Sequence, residues 1–114
     1  MSYLSNAIEE QNMSDVNETI LEEIYAVVLD RARHPVPGSY TNYLLDRGLD
    51  KIVQKFGEQA VQMIIAAKNG HTSDIVSESA DLIYHLIVLF AVTGIPLEDL
   101  LAELRQRRTH TESY

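Results

Sequence analysis

The feature that most restricts the fold is the segment from residue 80 to residue 92, in which nearly every side chain is apolar. It lies within a helix that we predict from Thr72 or Ser73 to about Thr93, ended by Gly94. A helix that is apolar on nearly all sides is normally buried on nearly all sides. In a chain of 114 residues, this predicts a central helix or one that faces a partner subunit.

Helical spacing also dominates the segments before this helix. From residue 17, apolar side chains recur at intervals of three and four until Pro35, which ends the helix because proline cannot continue it. A short helix capped by Ser39 or Thr41 is predicted next, followed by a long helix over residues 49–68. The apolar face of the long helix is predicted to consist of Ile52, Val53, Phe56, Ala60, Met63, Ile64 and Ala67.

A last helix is predicted from Leu97 to about Arg107, after Pro96, because proline is favoured at a helix start. No segment alternates convincingly like a strand, so the sequence predicts an all-α fold, a bundle of four to five helices. Residues 1–15 are predicted to be an N-terminal extension, residues 16–108 a single domain, and residues 109–114 a C-terminal tail.

Composition limits the classes of function. The net charge of −8 argues against nucleic-acid binding, because that function needs a basic face to neutralise phosphates. The chain has no cysteine, so any metal must be bound by oxygen or imidazole ligands. The uninterrupted apolar run from 86 to 92 is far shorter than the ~20 residues of a membrane span, and no leader opens the chain. We therefore expect a cytoplasmic protein with no membrane partner.

Glu78, Asp81 and His85 are separated by three and four residues, so they lie on one stripe of the most apolar helix. Carboxylates on a buried helix are costly unless they are paired or bound to a metal. Exposed early turns are an equally compatible explanation for the two acids, and a lone histidine is more often structural than a ligand. If the long helix pairs antiparallel with this one, Glu58 comes near both acids and creates an oxygen site suited to Mg²⁺.

Two further polar groups accompany these acids. Ser39, Tyr40 and Thr41 precede or begin the short helix, where hydroxyls and backbone amides suit a phosphate, although ordinary helix capping is the simpler explanation. The long helix carries a polar stripe that, taken alone, is typical of a solvated face. Its members are Lys51, Lys55, Glu58, Gln59 and Gln62.

Together these residues resemble the phosphoribosyl-ATP pyrophosphatase family of histidine biosynthesis. The resemblance extends from about Ile20 to Arg107, and its order and spacing are more specific than any single pair of acids. The matching positions are Ser39-Tyr40-Thr41, Leu45, Gly48, Lys51-Ile52, Lys55-Phe56-Gly57-Glu58, the run from Glu78 to His85, Leu97-Glu98-Asp99, Glu103-Leu104 and Arg107.

The resemblance implies a MazG-like all-α fold assembled as a homodimer. It also implies Mg²⁺-dependent hydrolysis of phosphoribosyl-ATP to phosphoribosyl-AMP and pyrophosphate, the second step of histidine synthesis. Glu58 or Asp81 is then expected to orient or deprotonate the attacking water. The expected metal ligands are Glu58, Glu78 and Asp81. The expected substrate-binding residues are Ser39, Tyr40, Thr41, Lys51, Lys55 and His85.

One departure from the family pattern falls on the expected metal motif. After the glycine the family reads Glu-Glu-Ala-x-Glu, whereas this chain has glutamine at positions 59 and 62. Glutamine keeps nearly the shape of glutamate but has no charge, so Gln59 and Gln62 are expected to weaken cation binding. We hypothesise that the chain either holds substrate without turnover or has lost activity, with random surface drift as the alternative.

Two other functions fit the same residues. A house-cleaning enzyme that hydrolyses non-standard nucleoside triphosphates would need a similar acidic site, but the segment from Ser39 to Thr41 argues against it. A non-catalytic helical dimer that binds nucleotide or a partner protein is supported by the two glutamines, and it predicts nucleotide binding without pyrophosphate release. A purely structural bundle predicts no response to nucleotide or Mg²⁺.

Overall fold

The computed structural model describes residues 20–109, and this part of the chain is helical, with five helices and no strand. The first helix, α1, covers residues 20–33. It is followed by α2 (Tyr40–Arg47), α3 (Leu49–Asn69), α4 (Thr72–Thr93) and α5 (Leu97–Thr109). The predicted all-α fold is confirmed. The predicted N-terminal extension and most of the predicted tail lie outside the described residues.

Local signals in the sequence account for the helix ends. Of the two caps predicted for α2, the structure uses Ser39, whose side-chain oxygen accepts a hydrogen bond from the Asn42 backbone N–H at 3.3 Å. Helices α3 and α4 end at Gly70 and Gly94, with φ angles of 75° and 74°. These left-handed conformations strain any residue with a Cβ atom, so glycine suits both helix ends.

Asn42 holds the start of α2 against the end of α1. Its side chain is buried: Oδ1 accepts a hydrogen bond from the Val36 backbone N–H at 2.9 Å, and Nδ2 donates to the Arg31 carbonyl at 2.8 Å. Arg31 lies in the last turn of α1, where backbone carbonyls have no partner within the helix. These bonds fix the position of Tyr40 and Thr41 relative to α1.

The hydrophobic core receives side chains from all five described helices. Its buried members are Val28, Leu44, Ile52, Ile87, Val88, Leu97 and Leu101. The contribution of α3 comes from its N-terminal part and that of α4 from its C-terminal half. The Tyr25 hydroxyl also donates to the Ile95 carbonyl at 2.8 Å, which joins α1 to the turn between α4 and α5. The opposite end of the α3–α4 pair therefore projects beyond the core.

Helices α3 and α4 both expose large apolar side chains, which we call the exposed apolar residues of α3 and α4. They are Val61, Ile64, Ile65, Val76 and Ile83. The apolar face predicted for the long helix is thus only partly buried, because Ile52 is inside whereas Val53 and Ile64 are exposed. Within one protomer, α4 is also not buried on all sides as a purely central helix would be.

Among the described residues, α4 is the one helix that is long and apolar enough to cross a membrane, judged by length and composition alone. A single helix of this kind is weak evidence, because the core helices of soluble proteins pass the same test. Here α4 packs most extensively against α3 and contributes His85, Ile87 and Val88 to the buried interior.

Candidate active site

The orientation of α3 about its own axis decides which of its side chains face α4. Ile52 and Ala66 are the buried residues of this helix, and Gln59 lies seven residues from each. Residues seven apart share one stripe of a helix, so Gln59 faces the same way as the two buried residues. Since α3 and α4 are joined by the short turn at Gly70 and run antiparallel, this stripe faces α4.

Gln59 contacts Glu78 across the two helices. Its Nε2 atom donates a hydrogen bond to Glu78 Oε2 and lies 3.4 Å from the Glu78 backbone oxygen. One turn further along α3, Gln62 lines a cavity of about 240 Å³ together with Asp74 and Glu78. The structure therefore places the two glutamines, rather than Glu58, opposite this part of α4.

Glu58 is turned towards solvent and bonded along its own helix. Gln54 Nε2 donates to its carboxylate at 2.9 Å, and Lys55 Nζ lies 3.6 Å from the other oxygen. The hydrogen bond from Gln54 is the largest influence on the pKa of Glu58 and lowers it. Desolvation opposes this effect, but the positive charge of Lys55 adds to the lowering, so the pKa lies below its ordinary value. Glu58 is therefore an ionised, exposed carboxylate at neutral pH.

The three expected metal ligands do not form one cluster. Glu78 and Asp81 share a stripe of α4, but Glu58 is not gathered with them. Nowhere in residues 20–109 do three or more histidine, aspartate or glutamate side chains converge in a way that could hold a metal ion. Their roles as ligands remain predictions.

Tyr40, Lys55 and Asp81 form a second part of the site, with one residue from each of α2, α3 and α4. Partial burial raises the pKa of Tyr40, the charge of Lys55 lowers it, and Asp81 is among the groups that raise it. The charges of Lys55 and Asp81 therefore both act on the Tyr40 hydroxyl. With its pKa raised above its ordinary value of 10.0, the Tyr40 hydroxyl stays protonated at neutral pH and can donate a hydrogen bond.

Two side-chain contacts tie α2 to α4 at this point. The Tyr40 hydroxyl lies 2.9 Å from His85 Nε2, and their rings meet edge to face with centroids 5.8 Å apart. The hydroxyls of Thr41 and Tyr84 are also hydrogen bonded to each other. His85 is only 6% exposed and Thr41 only 8%. In this protomer both residues support Tyr40, and direct binding of substrate by them remains a prediction.

The remaining predicted residues lie nearby on the same elements. Ser39 caps α2 immediately before Tyr40. Lys51 lies one turn before Lys55 on α3, and its charge contributes to the lowered pKa of Glu58. The predicted substrate-binding residues therefore occupy the start of α2 and the adjoining parts of α3 and α4.

Sequence reasoning missed two residues of this region. Asp74 lines the cavity beside Glu78 and lies four residues before it, so the same stripe argument that selected Glu78, Asp81 and His85 also includes Asp74. Tyr84 falls within the run from Glu78 to His85 that resembles the family, but nothing in the sequence predicts its hydrogen bond to Thr41.

The carboxylates of the site fit a cation that is also bound by substrate phosphates, and they do not fit a cation enclosed by protein ligands alone. Mg²⁺ in proteins is commonly bound by one or two carboxylates together with substrate phosphates. Glu78 and Asp81, two carboxylates on one stripe of α4, match that arrangement in number. They do not match a cage made of protein carboxylates alone, since no cluster of three forms in the described part of the chain.

Comparison with known proteins agrees with this chemistry. Residues 9–108 match the phosphoribosyl-ATP pyrophosphohydrolase family. The chain is 49% identical over 89 residues to the phosphoribosyl-ATP pyrophosphatase of Streptococcus thermophilus, covering 78% of this chain and 86% of that protein. It is 52% identical over 89 residues to the phosphoribosyl-ATP pyrophosphatase of Pelotomaculum thermopropionicum, covering 78% and 91%.

A longer relative is the histidine biosynthesis bifunctional protein HisIE of Thermoanaerobacter pseudethanolicus. It is 56% identical over 87 residues, which are 76% of this chain, and the chain spans 40% of that protein's length. The resemblance found in the sequence is thus confirmed over nearly the whole domain. The chain belongs to the phosphoribosyl-ATP pyrophosphohydrolase family.

Proposed function

We propose that this chain hydrolyses phosphoribosyl-ATP to phosphoribosyl-AMP and pyrophosphate, the second step of histidine biosynthesis. The observation that carries the proposal is the match of residues 9–108 to the family, with relatives that bear the name phosphoribosyl-ATP pyrophosphatase. Because the substrate is a small soluble nucleotide, we propose a cytoplasmic location, with neither nucleic acid nor membrane as a partner.

In the proposed reaction, a water oxygen forms a bond to phosphorus and the bond between the α- and β-phosphates breaks. Asp81 accepts the water proton or orients the water, which is a role for an ionised carboxylate near the reacting atoms. Lys51 and Lys55 offset the negative charge of the phosphates. The Tyr40 hydroxyl accepts a hydrogen bond from the protonated Nε2 of His85 and donates its own hydrogen to a phosphate oxygen. Pyrophosphate then leaves.

Asp81 is favoured over Glu58 as the group that handles the water. Asp81 lies three residues after Glu78, on the stripe of α4 that Gln59 contacts. The Glu58 carboxylate instead accepts a hydrogen bond from Gln54 and forms an ion pair with Lys55, both on its own helix. Since a general base must reach the proton it abstracts, the geometry supports the carboxylate on α4.

We propose Mg²⁺ as the cofactor, held by Glu78 and Asp81 together with the phosphates of the substrate. When bound there, the ion reduces the negative charge on the phosphates. Two acids on one stripe of α4 repel a polyphosphate unless positive charge lies between them, and the lysines of α3 supply only part of that charge.

A second copy of this chain is proposed to cover exposed apolar residues of α3 and α4. Ile64 is 54% exposed and Val76 is 64% exposed, although both belong to helices whose apolar character predicts burial.

Light scattering after gel filtration is expected to give the mass of a dimer. Ile64→Asp is expected to shift the mass towards the monomer, whereas Val36→Asp, an equal change in the loop before α2, is expected to leave the dimer intact. A monomeric wild type contradicts the proposal.

The function is tested by measuring pyrophosphate release from a panel of nucleotides. We expect kcat/KM for phosphoribosyl-ATP to exceed that for ATP and for non-standard nucleoside triphosphates by at least ~10-fold, because substrate contacts beyond the triphosphate contribute to transition-state binding. Equal or faster cleavage of non-standard triphosphates would favour the house-cleaning alternative. Nucleotide binding with no pyrophosphate release would favour the non-catalytic dimer.

A further inference from the structure

The Gln59 amide directs its donor side at the Glu78 carboxylate. Nε2 donates to Glu78 Oε2 and lies 3.4 Å from the Glu78 backbone oxygen. A side-chain amide nitrogen has two hydrogens, so both can be directed at Glu78. The amide oxygen, which is the atom able to bind a cation, is turned away from the carboxylate.

Gln59 supplies Glu78 with a partner that has no charge. A hydrogen bond from a neutral amide satisfies a carboxylate oxygen without cancelling its negative charge. The neighbouring cavity is lined by a second neutral amide, Gln62, and by another acid, Asp74. A cation that binds Glu78 must therefore compete with the bond from Gln59.

We propose that Gln59 occupies the Glu78 carboxylate in the free protein, so that the site binds a divalent cation only together with a nucleotide polyphosphate. For the cation to bind, the amide releases the carboxylate and rotates so that its oxygen replaces its nitrogen. The attraction of Glu78 and Asp81 for the cation does not by itself offset the loss of the hydrogen bond from Gln59. A polyphosphate adds anionic oxygens to the same cation and completes its ligand set.

This inference rests on the proposed function, since it places the nucleotide beside Glu78 and Asp81. It goes further because it assigns a new role to the Gln59 side chain, which controls whether the cation binds before the nucleotide or only together with it. Gln59 is suited to this role because it shares the stripe of Ile52 and Ala66, which faces α4. In the proposal it acts on Glu78 as a positioning residue and not on the substrate.

The test is calorimetric titration of the full chain with Mn²⁺, with and without a non-hydrolysable ATP analogue that has a methylene bridge between the α- and β-phosphates. After subtraction of a protein-free titration that measures Mn²⁺ binding to the analogue itself, we expect the wild-type dissociation constant for Mn²⁺ to be at least ~10-fold larger without the analogue than with it. For Gln59→Glu we expect Mn²⁺ alone to bind at least ~10-fold more tightly than to the wild type, because a carboxylate ligand replaces a competing donor.

Two variants separate competition by the amide from added charge. Gln106→Glu makes the same change on α5, where Gln106 is exposed, and is expected to leave Mn²⁺ binding as in the wild type. Gln59→Met removes the amide donor without adding charge and is expected to bind Mn²⁺ alone more tightly than the wild type. Melting followed by circular dichroism checks that each variant folds, and Mn²⁺ is expected to raise the melting temperature of Gln59→Glu.

Three results would overturn the inference: a wild type that binds Mn²⁺ equally well without the analogue, a Gln106→Glu variant that matches Gln59→Glu, or a Gln59→Met variant that binds Mn²⁺ no more tightly than the wild type. These variant titrations need no nucleotide. Loss of the proposed function is recognised separately, because a chain that releases no pyrophosphate from phosphoribosyl-ATP can still show the predicted order of Mn²⁺ affinities.

Discussion

Asp81→Asn is expected to lower kcat for pyrophosphate release from phosphoribosyl-ATP by about a hundredfold or more, because a positioned general base typically contributes 10²–10⁴-fold. Asparagine keeps the shape of aspartate but cannot accept the water proton. It also removes one of the two carboxylates proposed to hold Mg²⁺ on α4, so the effect on kcat is expected to be accompanied by a higher Mg²⁺ requirement.

The matched control for this variant is Asp99→Asn, which makes the same chemical change in the first turn of α5. It is expected to retain the wild-type rate, because Asp99 is exposed and not among the residues of the site. Steady-state rates at saturating and limiting Mg²⁺ measure both effects. An Asp81→Asn variant within a factor of three of the wild type would move the role of base to another carboxylate, with Glu58 as the next candidate.

Leu44→Ala is expected to lower the free energy of unfolding by ~3 kcal/mol, since removing a fully buried leucine side chain typically costs 2–5 kcal/mol. Leu44 is 0% exposed and lies in the core to which all five described helices contribute. It also belongs to α2, the helix that carries Tyr40. The loss is expected to reduce the melting temperature by about 10–20 °C in a domain of this size.

Leu49→Ala is the control for this change, because Leu49 begins α3 and is 46% exposed. Its expected cost is below ~1 kcal/mol. Thermal and urea unfolding must be compared at equal protein concentration, since dimerisation makes the apparent stability depend on concentration. Equal melting temperatures for the two variants would contradict the position of the core.

Much of the fold could be predicted because local chemistry ends each helix. Pro35, Gly70 and Gly94 follow the ends of α1, α3 and α4. Proline cannot continue a helix, and glycine readily adopts the left-handed conformation found at both helix ends. The apolar spacing of the segments between them is helical, so the all-α fold follows from the sequence. The hydrogen bonds of Asn42 could not be predicted, because they join a loop, a helix end and a side chain that are distant in the sequence.

The candidate site was harder to predict because it depends on how α3 is rotated. Glu58 and Gln59 are neighbours in the sequence, but successive helical residues point about 100° apart. The prediction that antiparallel pairing brings Glu58 near Glu78 did not use the stripe of Ile52 and Ala66, which selects Gln59. The phase of a helix is set by packing, so a motif alone cannot decide which of two adjacent polar residues faces the partner helix.

The apolar residues of α3 show a different limit. Ile52 and Ile64 have the same hydrophobic character, but one is 0% exposed and the other 54%. Sequence periodicity predicts that a face is apolar and not whether it packs within the protomer or against another subunit. For the same reason, the sequence could not decide whether α4 is a central helix or one that faces a partner subunit.

The measurement that tests the central claim most directly is pyrophosphate release from phosphoribosyl-ATP with Mg²⁺, by this chain and by Gln59→Glu/Gln62→Glu. The account predicts release by both proteins, with the variant faster at limiting Mg²⁺, because its added carboxylates strengthen cation binding beside Glu78. Release by the variant alone would instead support the hypothesis that the two glutamines abolish turnover. Release by neither protein would contradict the assignment of phosphoribosyl-ATP as the substrate.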